Sequence, residues 1–174
     1  MEQVQRARTI LAGAARHGGS LPGSARPRAP GLCYDARRVP SKPETLWSSD
    51  EAELTHDRRD GLVRFVRLSP SLPSLPVLRA RMIEMLDIMD TLPRGELGLI
   101  VDTRLAIGRS DDEFEGLMNE LRPRMVGGFR RVAVLVRSAV GRLQVQRLGR
   151  ADGISDRLLV TSDEAEALTF ARRP

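Results

Sequence analysis

Aromatic residues make up only 3% of this 174-residue chain, which also has a single cysteine, Cys33, a single lysine, Lys42, and two histidines. Each scarcity excludes something. One cysteine builds neither a disulfide framework nor a thiolate metal site, which fits a reducing cytosol and sets the expectation of a cytoplasmic protein. His17 and His56 have no spaced partner for zinc or for a Ser-His relay. One Trp, one Tyr and four Phe leave few rings to stack on bases, so no nucleic-acid partner is expected despite a pI near 10.7. No apolar run approaches the ~20 residues that cross a bilayer. The front segment also lacks the continuous apolar stretch of a secretory signal.

The basic charge is concentrated at the front. Residues 1–50 hold eight basic and four acidic side chains, a net of +4 out of the total of +5, so the remainder is close to neutral at +1. Arginine in place of lysine is the mark of a GC-rich coding sequence and is not read as phosphate chemistry. Residues 2–16 suit a short helix with Val4, Ala7, Leu11 and Ala14 on one side. A Gly/Pro/Arg-rich stretch without apolar periodicity follows, with too little hydrophobic area to offset ordering entropy. Residues 1–48 are therefore expected to be a disordered or weakly helical basic extension. A transit peptide would share this composition, but a plain tail is the simpler account. Residues 49–174 are expected to form one α/β domain.

Within that domain, Glu53–Asp57, the turn formers Arg59-Asp60-Gly61, and Leu62–Leu68 predict a β-hairpin. Pro76 stands near the start of a helix to about Asp90, with Leu78, Met82, Met85, Leu86 and Met89 at three- and four-residue spacing. The methionines are core fillers in a chain poor in rings. Leu97–Val101 is apolar throughout, hence a strand buried on both faces. Phe114, Leu117, Met118, Leu121 and Met125 give the next helix one apolar face, with Pro123 and Gly127-Gly128 closing it. Arg131–Val136 is the next strand. Ser138 caps a helix to about Arg150 whose inward side chains are Val140, Leu143, Leu148 and the stem of Arg147. Arg157–Val160 is a short strand, and a last helix over Ser162–Phe170 is capped by Thr161 or Ser162. The order ββαβαβαβα demands a mixed sheet of about five strands with right-handed crossovers between parallel neighbours.

Three phrases carry a family resemblance: Leu-Ile-Val-Asp102 followed by Ser-Asp-Asp-Glu113, then Gly-Phe-Arg-Arg-Val-Ala-Val-Leu-Val136, and the closing Ser-Asp-Glu-Ala-Glu-Ala-Leu168. In this order and spacing, over about residues 51–174, the chain resembles the STAS family of anti-sigma-factor-antagonist-like domains, in particular its SpoIIAA-like branch grouped with SEC14-type folds. The resemblance implies a small sheet covered by helices that works by binding a partner protein or a small ligand, with no cofactor. In the signalling members a phosphorylatable serine follows an aspartate at the start of the helix after the third strand. Laying Asp102 on the strand-end aspartate puts Asp111 or Asp112 near that serine, with Ser110 one step before. A fixed carboxylate therefore stands where the signalling members switch a charge, and at a helix N-terminus it is favourable by roughly 0.3 to 1 kcal/mol.

The candidate sites follow from these positions. Ser110 with Glu113 has the spacing of a capping box, worth ~1 kcal/mol. Asp102, Asp111, Asp112 and Glu113 are oxygen ligands near a strand end, but first-turn dipole complementarity explains the helix acids, so no metal is expected. Gly127-Gly128 precedes a strand and is no phosphate cradle. Ser138 with Arg137 and Arg142 could offer a helix end to an anion, although a capped helix with solvated arginines explains them equally. Nothing pairs a base with a nucleophile. The expectation is a noncatalytic regulatory or protein-binding module of bacterial signalling, not an enzyme, with a partner face at Asp102, Arg104, Arg109, Ser110, Asp111 and Asp112. The rival reading is a small-ligand domain, lipid or nucleotide, of SEC14-like type. A homodimer through an edge strand stays open.

Overall fold

The computed structural model describes residues 42–109 and 111–173. The expected helix at 2–16, together with His17, Cys33 and Ser110, lies outside the described residues. Six strands form one mixed sheet in the order β1 (Glu44–Ser48), β2 (Ala52–Asp57), β3 (Leu62–Arg67), β4 (Gly98–Asp102), β5 (Arg131–Leu135) and β6 (Leu158–Thr161). The first three are antiparallel neighbours, and β3 to β6 are parallel. The helices are α1 (Leu75–Asp90), α2 (Asp112–Val126), α3 (Ala139–Ala151) and α4 (Glu164–Ala171). The sheet is thus the α/β arrangement that the sequence pattern demands and is compatible with a STAS-like fold, with six strands instead of about five.

The extra strand corrects the expected boundary at residue 48. Glu44–Ser48 pairs with β2 and is anchored by Trp47, whose indole Nε1 donates to Glu84 of α1 at 3.2 Å. An edge strand with only Leu46 and Trp47 to bury gives almost no alternation, and the flanking prolines make it read as tail.

The β2–β3 hairpin turns at Gly61, whose φ of +62° suits glycine. Asp57 closes the turn by accepting from the amides of Arg59 and Asp60, each at 3.0 Å. Each step from one parallel strand to the next moves in the same direction. Right-handed crossovers therefore put α1, α2 and α3 on one face. That face holds the larger core, built around Leu54, Leu86, Leu99, Leu121 and Phe129. After β6 the chain crosses over, and α4 covers the opposite face with Leu62, Ile100, Ala133, Leu135, Ala167 and Ala171. Small residues there let α4 lie close to the sheet.

Two helix details differ from expectation. Pro123 lies inside α2, not at its end, at the loss of one backbone hydrogen bond in the last turn. In α3 the outward residues are Val140 and Leu143, 76% and 67% exposed. The buried position is Gly149, where a Cβ would stand 2.2 Å from Leu158 Cδ2. A glycine that admits a neighbour's side chain carries no hydrophobic signal, so the wrong stripe is the one visible in sequence.

The two ends of α1 and α2 are tied by arginine. Arg94 donates from Nε to the carbonyl of Met89 at 3.0 Å, and from Nη1 to the carbonyls of Arg124 at 2.5 Å and Gly127 at 3.0 Å, while its guanidinium stacks over Phe129. Arg122 holds Asp152, beyond the end of α3, through two bonds of 2.7 and 3.1 Å.

His56 is buried on the α1 side of β2, and its Nε2 has no partner among the described residues. Burial, aided by the Arg58 guanidinium, pushes its imidazole pKa down. The unfolded chain then binds the proton more readily than the folded one. Its contribution is present in full above the unfolded value of about 6.5 and is lost as the pH falls through the lower folded value. Melting curves should show wild type losing more stability between pH 7 and 5 than His56→Phe; equal losses would remove His56 as the cause.

Candidate functional site

The C-terminal ends of the parallel strands, where α/β proteins usually place ligands, divide here into two sites on opposite faces. On the α4 face lies a closed ring of charge. Asp102, only 6% exposed, accepts from Arg104 Nε at 2.9 Å and Nη2 at 2.6 Å, from the Arg104 amide at 3.2 Å, and from Arg64 Nη2 at 3.1 Å. Glu164, in the first turn of α4, accepts from Arg104 at 2.9 Å and faces Arg64 at 2.7 Å. Two cations and two anions thus link β3, β4, the following loop and α4. Burial opposes the ionised form of Asp102, but the hydrogen bonds from Arg104 and Arg64 outweigh it and hold the carboxyl below the usual range. Hydrogen bonds from Arg64 and then Arg104 lower that of Glu164 in the same way. The partners of Arg104 raise its own pKa, Asp102 first.

The residues of the expected partner face are thereby divided between the two faces of the sheet. Strand residues alternate between faces: Leu99 and Val101 of β4 point to the helix-covered core, Ile100 and Asp102 to α4. Asp102 is therefore on the other side of the sheet from Asp111 and Asp112, and both it and Arg104 are engaged within the ring. Glu164 and Arg64 are the residues the sequence reading missed. Nothing in their neighbourhoods distinguishes them from ordinary surface charges until α4 folds back over β3 and β4.

On the other face are the loop after β4 and the start of α2. The cap is Asp111, not Ser110: its carboxylate accepts from the Phe114 amide at 3.1 Å, and the helix opens with Asp112, Glu113 and Glu115. Arg109 pairs with Asp111, one bond measuring 3.1 Å, and stacks over the Phe114 ring. The hydrogen bond from Arg109, before any other contribution, draws the Asp111 pKa down. Asp112 lies exposed beside them. Ser138 caps α3, accepting from the Gly141 amide at 3.0 Å, with Arg137 and Arg142 exposed on either side. That is the capped-helix arrangement; the structure adds no further group to the candidate anion site.

The same rim carries unusual apolar exposure. Leu105 and Ile107 of the loop are 51% and 66% exposed, and Val140 and Leu143 of α3 more so. A groove of about 280 Å³ runs between loop and helices, lined by Ile107, Arg109, Phe114, Arg122, Val145 and Arg147 among others. Beneath it, between the sheet and helices α1 and α2, lies an apolar cavity of about 200 Å³. Among the described residues no three of His, Cys, Asp and Glu are grouped to hold a metal. No helix among them is long and apolar enough to cross a membrane. Comparison of the chain with protein-family models, curated proteins and solved structures finds no match.

Proposed function

We propose that this is a noncatalytic, STAS-like regulatory module of the bacterial cytoplasm that works by binding another protein. The observation that carries the reading is the exposure of Leu105 and Ile107 in the loop after β4 and of Val140 and Leu143 at the start of α3, which follow neighbouring parallel strands at their C-terminal ends. Large apolar side chains left exposed at one edge of a sheet and interspersed with charge are what a protein-binding patch presents. Here the interspersed cations are Arg137 and Arg142, exposed beside the start of α3, so the partner surface that meets α3 should be apolar with acidic residues around it. The carboxylates at the strand ends are taken up by arginines, an arrangement suited to holding a shape more than to moving protons. Asp111, at the helix start, presents a permanent negative charge where signalling relatives of the proposed family carry a switchable serine.

The test is affinity capture with the full chain as bait, followed by titration of the identified partner with purified variants. Ile107→Glu and Val140→Glu should each weaken binding at least tenfold, as for central apolar anchors, while melting temperatures stay within about two degrees of wild type, both side chains being exposed. Arg150→Gln, exposed at the far end of α3, should change nothing. Unaltered affinity in both rim variants would remove this face from the proposal.

A further inference from the structure

The surface expected of a partner for α3, apolar and ringed by acids, is present on this chain itself. Leu105 and Ile107 are 51% and 66% exposed in the loop after β4, and the helix that follows opens with exposed Asp112, Glu113 and Glu115. Their neighbours are satisfied within the chain: Asp111 pairs with Arg109, and Glu120 with Arg79. Asp112, Glu113 and Glu115 have no cation within ion-pair distance among the described residues.

The start of α3 has the opposite sign. Between Glu120 and Asp152 the sequence holds eight arginines and no acid, so nothing local neutralises them. Arg122 and Arg124 find carboxylates on other elements. Arg137, Arg142 and Arg147 are exposed and have none within reach among the described residues. Val140, Leu143 and Arg147 recur at three- and four-residue spacing, which places them along one side of the helix. That side is exposed, whereas Val145 packs on the core and Gly149 is buried.

The two halves adjoin. One groove is lined by Ile107, Phe114 and Glu115 from the loop and α2 and by Gln144, Val145 and Arg147 from α3. Glu115 and Arg147 share it without forming an ion pair. Two adjacent patches of opposite charge, each with two exposed large apolar side chains, are what a two-fold symmetric contact requires, since each patch then meets its complement on the other copy. We infer that a second copy of this chain covers this surface, α3 of each copy lying across the loop after β4 and the first turns of α2 of the other. Val140 and Leu143 enter the groove, and the α3 arginines oppose the α2 acids. The inference rests on the rim reading for its apolar side chains and adds a form of regulation, because self-association and partner binding then exclude each other.

Sedimentation of the full chain over a concentration series should show a reversible monomer–dimer equilibrium. It should weaken severalfold between about 0.1 M and 1 M salt, as the screening length falls from about 10 to 3 Å. Two double variants test the pairing: Arg142→Glu with Arg147→Glu, and Asp112→Arg with Glu115→Arg. Each alone sets like charges against each other and should dimerise at least tenfold more weakly. Mixed in equal amounts they should reassociate, since each reversed patch then meets its complement. All four side chains are exposed and the caps Asp111 and Ser138 are untouched, so both variants should melt near wild type.

A wild-type chain that stays monomeric at about 1 mM would overturn the inference, and that measurement needs no variant. So would a dimer indifferent to both reversals, which is how pairing through the edge strand β1 would behave, or a mixture that fails to reassociate. Adding the captured partner should dissociate the dimer; a complex holding two copies and the partner would overturn the exclusion. The outcomes separate from those of the rim reading. A monomeric chain whose partner is still lost on Ile107→Glu sinks only the second copy, and a dimer whose partner ignores both rim variants sinks only the rim as partner site.

Discussion

Replacing Gly98 with alanine is expected to destabilise the domain by about 3 kcal/mol or more, the upper part of the range for overpacking a closed site. Gly98 opens β4 beneath the last turn of α4. A Cβ there would stand 2.1 Å from the Ala171 carbonyl oxygen, 2.8 Å from its carbon and 3.0 Å from Leu62 Cδ2. The obstruction is backbone, which no rotamer change relieves, so α4 must lift from the sheet or β4 must move. Lifting α4 uncovers Ile100, Ala133 and Leu135 and pulls Glu164 away from Arg64 and Arg104. Thermal melts should show a fall of ten degrees or more, with proteolysis gaining access after β6. Gly116→Ala is the control: it lies within α2 with nothing within 4 Å of its Cβ, and should be neutral or gain a few tenths of a kcal/mol from helix propensity. A Gly98→Ala chain that melts like wild type would mean that α4 does not sit where the structure has it.

The second large effect is expected at Asp102. Truncation to alanine leaves Arg64 and Arg104 facing each other across a space that one carboxylate had neutralised. Removing one member of a buried ion pair costs about 3 to 5 kcal/mol. The side chains of Arg64 and Arg104 are 29% and 34% exposed, and Glu164 remains, so the loss should fall near 2 to 3 kcal/mol. The pH dependence gives a second check. Because the folded carboxyl titrates below its ordinary range, its contribution is complete above the unfolded value of about 3.9 and declines as the pH falls through the folded value. The difference between wild type and Asp102→Ala should therefore be constant from pH 7 to 5 and shrink below about 4. Asp102→Asn should lose less than the alanine variant, since it keeps acceptors for the arginines. A neutral Asp102→Ala would show the ring to be solvated surface pairing.

Both effects lie on the side of the sheet that local sequence leaves undescribed. The hairpin at Gly61, the proline-led start of α1 and the fully buried β4 are legible because turn chemistry and periodicity are properties of neighbouring residues. The candidate site was legible only as a neighbourhood. The loop after β4, Arg109 and the acids that open α2 do stand together at the strand ends, but Asp102 does not join them. Its strand is apolar toward both faces, so no alternation of polar and apolar residues marks the side on which its last residue emerges. The cap shifted from Ser110 to Asp111 for a similar reason: serine and aspartate are both good caps, and one residue of phase separates them.

What the chain determines locally is the order of its elements and the single direction in which the parallel strands step, because short connections and the right-handed crossover leave little choice once strands and helices alternate. Only the folded body decides the rest: that α4 returns over β3 and β4 to close a charge ring between residues up to one hundred positions apart, that α3 turns Gly149 inward and Val140 outward, and that Arg67 ends on the wall of a methionine-lined cavity. Those outcomes depend on which surfaces meet across the sheet, and contact between distant segments is set by shape and volume, which periodicity does not encode.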